Sequence, residues 1–185
     1  APGFVGDPVG DLTSARVPGL LQKYAGRALL ITTGACAVHC RYCFRREYPY
    51  GEQSAAAGQL ETALETIAGD PSLEEIILSG GDPLVLSPRR IRETTEALAA
   101  IGHVKVLRWH TRVPVVATER ITPELVAALT ATGQAVWLAL HVNHASELTA
   151  EARAAVARLV DAGVAMVSQS VLLAGVNDNA QTLEA

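Results

Sequence analysis

The segment Gly26-Arg27-Ala28-Leu29-Leu30-Ile31-Thr32-Thr33-Gly34-Ala35-Cys36-Ala37-Val38-His39-Cys40-Arg41-Tyr42-Cys43-Phe44-Arg45-Arg46 joins a short apolar run to a loop that holds every cysteine of the chain. The run from Ala28 to Thr33 is short, rich in branched residues and bounded by glycines, so it reads as a buried strand. Four further runs have the same character: Glu75 to Ser79, Val104 to Trp109, Ala135 to Leu140 and Val164 to Ser168. Between them lie segments of helical periodicity, Gly58 to Ala68, Pro88 to Ala100, Pro123 to Ala131 and Thr149 to Ala162. Ser87-Pro88 and Thr122-Pro123 place a capping hydroxyl before a first-turn proline, and Gly102, Gly133 and Gly163 stand where helices would stop. The order βαβαβαβαβ implies a parallel sheet covered by helices, either a barrel or an open doubly wound sheet. Residues 1–26, rich in Gly, Pro and Asp, read as an irregular lead-in to a core spanning 27–185.

Parallel α/β folds gather ligand groups at the carboxyl ends of their strands. The cysteine loop follows the first strand, Ser79-Gly80-Gly81-Asp82 the second, His110-Thr111-Arg112 the third, His141-Val142-Asn143-His144 the fourth and Gln169-Ser170 the fifth. One edge is therefore expected to carry the chemistry. Two glycines after a strand would let the backbone approach a small zwitterion closely, although Gly-Gly-Asp taken alone is a turn.

Cys36, Cys40 and Cys43 have the spacing C-x3-C-x2-C. Three thiolates can hold three irons of a [4Fe-4S] cluster and leave the fourth iron open to a cofactor or substrate. A zinc site would want a second ligand pair, and the chain offers only His39 inside the same tight loop. Buried structural thiols fit poorly, because Arg41, Arg45 and Arg46 interleave with the cysteines and are expected to lower their pKa values.

With Tyr42 just before its last cysteine, this motif resembles the signature of the radical S-adenosylmethionine (radical SAM) enzymes. Gly26 to Cys36, Leu78-Ser79-Gly80-Gly81-Asp82-Pro83-Leu84, and Ser168 to Asp178 are together similar to the lysine 2,3-aminomutase family. Cys40 to Arg46, with Pro49-Tyr50 after it, is most like the elongation factor P β-lysylation branch. The resemblance implies an α/β fold, a partial (βα)6-type radical SAM barrel with about five βα strands in this chain. It implies cluster ligation by Cys36, Cys40 and Cys43, and S-adenosylmethionine contacts from Tyr42, Ser79, Gly80, Gly81, Asp82, Arg112, His141 and Gln169. Lys23-Tyr24-Ala25-Gly26-Arg27 matches a pyridoxal 5′-phosphate (PLP) segment, with Tyr24 and Arg27 as the contacts. Arg45 matches the position that pairs with the substrate carboxylate. His144 is a weaker candidate, and His103 and His110 carry no assignment.

The activity so implied is an isomerase: an adenosyl radical takes a β-hydrogen from L-lysine and the amino nitrogen migrates to the neighbouring carbon, giving β-lysine. Its partners would be lysine, a reducing electron donor, and elongation factor P with the ligase that modifies it. One departure stands out. The family's PLP-bearing lysine comes from a later segment, and the only lysines here are Lys23 and Lys105. The residues are expected to be an incomplete copy of the enzyme, able to assemble a cluster without completing aminomutation. Two alternatives stay open, an aminomutase acting on another amino acid such as glutamate and a truncated or non-catalytic iron–sulfur module.

Composition sets bounds around these readings. A chain of 185 residues with 49% hydrophobic content is long enough for one substantial core. A net charge of -4 without a sustained basic patch points away from nucleic acid. No apolar run approaches a membrane span, and the first residues lack a secretory pattern. Clustered free thiols suit a reducing compartment, so a cytoplasmic location is expected.

Overall fold

The computed structural model describes residues 5–55 and 59–184. Seven strands form one sheet: β1 (Ala15–Val17), β2 (Leu20–Tyr24), β3 (Arg27–Thr33), β4 (Glu75–Gly80), β5 (Val106–Thr111), β6 (Ala135–His141) and β7 (Ala165–Gln169). Its helices are α1 (Leu60–Ala68), α2 (Pro88–Ala99), α3 (Val113–Val116), α4 (Pro123–Leu129), α5 (Ala150–Asp161) and α6 (Ala180–Glu184). The strands lie in simple chain order, β1 to β7. Pairing from β3 to β7 is parallel, whereas β1, β2 and β3 are antiparallel neighbours.

Strand order decides between the two topologies that periodicity leaves open. A doubly wound sheet reverses its order at a switch point, and no reversal occurs here. Right-handed crossovers that always step to the next strand keep their helices on one face, so the sheet is part of a barrel wall. Side-chain alternation follows from this. Leu30, Ile76, Leu78, Leu107, Trp109 and Leu138 are buried in the main core, together with Ile67 of α1, Leu98 of α2, Leu125 of α4 and Leu159 of α5. The intervening positions face the concave side, and several are polar: Ser79, Arg108, His110, His141 and Gln169. A smaller apolar cluster of Leu21, Ile31 and Tyr48 closes part of that side.

The helix ends follow local chemistry. Ser87 Oγ accepts the Arg90 amide at 3.3 Å, Thr122 Oγ1 that of Leu125 at 3.2 Å and Thr149 Oγ1 that of Ala152 at 3.3 Å. The expected start of α1 at Gly58 lies outside the described residues. Two expectations need correction. The lead-in is not wholly irregular, since β1 and β2 form an antiparallel extension of the sheet, joined at Gly19 with φ +83°. The third strand starts at Val106 and not Val104, because Val104 closes a turn against the Ile101 carbonyl. Among the described residues, no helix is long and apolar enough to cross a membrane.

The cysteine loop is seated on the end of β4 by backbone contact. Gly81 N–H donates to Thr33 O at 2.7 Å and Asp82 N–H to Ala35 O at 2.8 Å. A Cβ on Gly81 would lie 2.2 Å from the Ala35 oxygen, and one on Gly80, where φ is +119°, would lie 2.6 Å from the Thr33 oxygen. The absence of side chains at the glycine pair therefore admits the neighbouring loop. Tyr50 packs against Gly34, where a Cβ would sit 2.8 Å from its ring, and its hydroxyl donates to Gly80 O at 2.9 Å. Gly81→Ala should cost about 1–3 kcal/mol or more through forced overpacking against backbone. Gly133→Ala, where nothing lies within 4 Å, should change stability by less than about 0.5 kcal/mol. Urea unfolding of the two variants measures the contrast.

Candidate active site

Two adjoining cavities open on the concave side. The first, of about 260 Å³, is lined by Cys36, Cys40, Cys43 and Tyr42 from the loop, Ser79 to Asp82 after β4, His110 to Arg112, His141 and Gln169. The second, of about 580 Å³, is lined by Asp11, Lys23, Tyr24, Arg27 and Ile77 among others. Leu29, Phe44, Arg45 and Gln169 line both. Every residue expected to meet the cluster or S-adenosylmethionine thus borders the first cavity, and Tyr24 and Arg27 border the second.

A polar network ties the loop to four strand ends, those of β4, β5, β6 and β7. Asp82 is buried; its Oδ1 accepts the Thr111 hydroxyl at 2.6 Å and the Leu84 amide at 3.0 Å, and its Oδ2 accepts the Arg112 amide at 2.7 Å. Arg112 then reaches across the cavity. Its Nη1 donates to Tyr42 Oη at 2.6 Å and to Cys40 Sγ at 3.3 Å, while Nη2 is ion-paired with Glu147. Glu147 Oε1 accepts the amides of Asn143 at 2.9 Å and His144 at 3.1 Å. Asn143 Nδ2 donates to Tyr42 Oη at 2.5 Å, and its Oδ1 accepts the Val171 amide at 2.8 Å.

Arg45 is buried and belongs to a second set of charges. Its Nε donates to Asp11 Oδ2 at 2.7 Å and its Nη1 to Ser79 Oγ at 3.2 Å, with the Phe44 ring 4.8 Å from its guanidinium carbon. Lys23 Nζ donates to Asp11 Oδ1 at 2.5 Å. Arg27 lies near Glu75 at 3.4 Å, and Arg108 pairs with that same carboxylate at 2.6 Å. Tyr24 is mostly exposed at the rim. Lys105 precedes β5, at the strand end opposite the cysteines, and its Nζ bonds the Gly102 carbonyl.

The arginines interleaved with the cysteines do not lower the Cys36 thiol as expected. Arg45 turns inward to Asp11, and Arg46 donates to the Arg41 carbonyl at 2.7 Å. Cys36 is instead pushed up to about 11, first by burial and then by Asp82 and the other two cysteines. The cation that touches a sulfur is Arg112. His39 is exposed, and among the described residues no group of three or more His, Cys, Asp or Glu side chains, the three cysteines included, is placed to hold a single metal ion.

Glu147, Asn177 and Asp11 join these networks without any assignment from sequence. Glu147 carried a readable signal, since His144-Ala145-Ser146-Glu147 forms a capping box with histidine in the place of Ser or Thr. Asn177, fully buried, donates to the carbonyls of Asn143 at 2.7 Å and Val171 at 2.9 Å, which only the folded chain brings together.

This donor set fits an iron–sulfur cluster with one open iron: three accessible thiols on one loop, no fourth cysteine, and a guanidinium beside one sulfur to offset negative charge. The Arg112 Nε is buried without a hydrogen-bond partner, which leaves a donor for a polar ligand.

A barrel wall that gathers such a loop and its polar strand ends around one cavity defines a cluster-dependent enzyme class. The family model described as "Radical SAM superfamily" matches residues 30–184, and the chain belongs to that superfamily. It is 48% identical over 183 residues to an L-lysine 2,3-aminomutase of Escherichia coli (strain K12), covering 99% of this chain and 53% of that protein. A protein of the same name from Buchnera aphidicola is 41% identical over 97% of this chain and 53% of its own length. Another from Acetoanaerobium sticklandii is 43% identical over 93% and 42% respectively. The chain spans about half the length of the curated relatives it matches.

The two concave-side histidines have a measurable signature. His110 is held down to about 4, first by burial and then by the facing His141 ring, 5.7 Å away between centroids, and by Arg108 and Arg45. His141 is lowered as well, by burial, with Asp82 opposing. Native His110 therefore binds its proton only near pH 4, whereas the unfolded chain does so near 6.5. Between these values the unfolded state holds more protons, so stability falls as pH drops. His110→Gln should flatten that fall between about pH 6.5 and about 4, as read by urea unfolding across the window.

Proposed function

We propose that this chain is the cluster- and S-adenosylmethionine-binding part of a radical 2,3-aminomutase that converts L-lysine to β-lysine with PLP. The observation that carries the reading is the pair of adjoining cavities, one bordered by the three cysteines and the other by Lys23, Tyr24 and Arg27, with Arg45 and Gln169 lining both. The names of the relatives support lysine as the substrate.

When bound, the cluster with S-adenosylmethionine supplies a 5′-deoxyadenosyl radical, and PLP supplies a carrier for the migrating amino group. The protein's part is to hold and orient. Cys36, Cys40 and Cys43 bind three irons. Asp82 uses three of its roughly four acceptor sites internally, which leaves capacity for the methionyl ammonium beside Ser79, Gly80 and Gly81. Tyr42 stands at the adenine, its hydroxyl fixed by Arg112 and Asn143. Arg112 and neutral His141 meet the ribose and carboxylate groups, and Gln169 stands at the junction of the two cofactors. Arg27 and Tyr24 serve the phosphate end of PLP, and Arg45 pairs with the substrate carboxylate through its planar fork. By resemblance, β-lysine made this way would serve elongation factor P modification.

The test uses the full-length protein, reconstituted anaerobically with iron and sulfide and reduced by dithionite in the presence of S-adenosylmethionine, PLP and L-lysine. We expect 5′-deoxyadenosine and β-lysine, with neither above background in Cys40→Ala. Arg45→Ala should raise KM for lysine by roughly 10- to 100-fold, the loss of about 1.5–3 kcal/mol of charge-assisted hydrogen bonding. Cofactor cleavage without β-lysine would overturn the aminomutase assignment, and a loaded cluster without cleavage would overturn the proposed radical chemistry.

A further inference from the structure

We infer that Asp11 is a positioning residue that presets Arg45 for end-on capture of the substrate carboxylate. The inference rests on the reading of Arg45 given under the proposed function. It starts from a part of the chain whose composition marks it as lead-in. Asp7 accepts the amides of Asp11 at 2.8 Å and Leu12 at 2.9 Å, and Ser14 Oγ donates to Gly10 O at 2.7 Å. These bonds fold residues 7–14 into a compact turn and fix the Asp11 backbone before β1 begins.

The Asp11 carboxylate is then carried inside, its side chain only 3% exposed. Both oxygens are used on different cations, Oδ1 by Lys23 Nζ at 2.5 Å and Oδ2 by Arg45 Nε at 2.7 Å. Lys23 is further held by the Val9 carbonyl at 2.7 Å. A buried ion pair recovers little net stability after desolvation, so its chief consequence is fixed geometry. Here the geometry concerns a guanidinium that borders both cavities.

A guanidinium can grip a carboxylate along its Nε edge or across its two terminal nitrogens. Asp11 occupies the Nε edge. Ser79 Oγ lies on Nη1 at 3.2 Å, and Nη2 makes no hydrogen bond among the described residues. The terminal fork is thus the part left for a ligand. Lys23, Asp11 and Arg45 together also carry one net positive charge, the complement of one carboxylate. Without Asp11, the Arg45 side chain would lose the partner that fixes its rotation, and fork and carboxylate would meet in several geometries.

The experiment measures, by calorimetry, dissociation constants for L-lysine and for L-lysinamide, which keeps both amines and lacks the carboxylate. It uses the full-length protein loaded with its cofactors and without reductant, so binding is read without turnover. Wild type should prefer lysine. Asp11→Asn should cut that preference about tenfold or more by weakening lysine binding, and leave lysinamide affinity unchanged. Asp11→Glu should recover part of the preference. In an Arg45→Lys background, Asp11→Asn should have no further effect on it. Should the single Asn variant fail to fold, the paired change of Asp11→Asn with Lys23→Met removes one charge of each sign and carries the same expected loss of preference.

A preference kept by folded Asp11→Asn, or by the paired variant, and lost in Arg45→Lys would reduce Asp11 to a clamp of the lead-in and overturn the inference alone. A preference that survives Arg45→Lys would overturn the role of Arg45 itself, and the inference with it.

Discussion

The cysteine loop rests on the end of β4 at a distance only glycine permits, and the rest of the site depends on that contact. Because Gly81 has no side chain, its backbone and that of Asp82 bond the carbonyls of Thr33 and Ala35 directly. This sets Asp82 beneath the loop, where its carboxylate fixes Thr111 and the backbone of Arg112. Arg112 so fixed can touch Cys40, Tyr42 and Glu147 at once. Through Glu147 and Asn143 the arrangement continues to β6 and to the segment after β7. One close backbone approach therefore registers four strand ends around a single cavity.

Charge on the concave side is organised in two groups with different work. Near the cysteines, Arg112 stands among thiols and a tyrosine, and the facing rings of His110 and His141 are kept neutral by burial. Neutral imidazoles there can donate and accept hydrogen bonds without adding charge beside a cluster. Further along the wall, Asp11 and Glu75 each balance two cations. These carboxylates restrain cationic side chains that would otherwise repel one another, and they leave the second cavity basic enough for anionic groups.

Much of this was legible in sequence for identifiable reasons. The five parallel strands are short, branched and bounded by turn residues, and the capping hydroxyls at Ser87 and Thr122 act as their Ser-Pro and Thr-Pro context requires. Chain order placed the cysteines, Asp82, Arg112, His141 and Gln169 at strand ends, and all of them border one cavity. The lead-in was not legible. The five residues of β2 are a strand because β3 offers an edge to pair with, and the three of β1 because β2 then offers its own, which composition does not record. Polar positions inside the wall, such as His110 and Arg108, are hidden from periodicity because their strands alternate between an apolar outer face and a mixed inner one. Asp11 met Arg45 across 34 residues, a contact that neither motif nor spacing announces.

The proposed chemistry depends on three thiolates that leave an iron open to S-adenosylmethionine in the cavity bordered by Arg112. Electron paramagnetic resonance of the full-length, anaerobically reconstituted and reduced protein tests it most directly. A reduced-cluster signal is expected whose g values and relaxation change on adding S-adenosylmethionine and which is absent in Cys36→Ala. A cluster signal indifferent to S-adenosylmethionine at saturating concentration would contradict it.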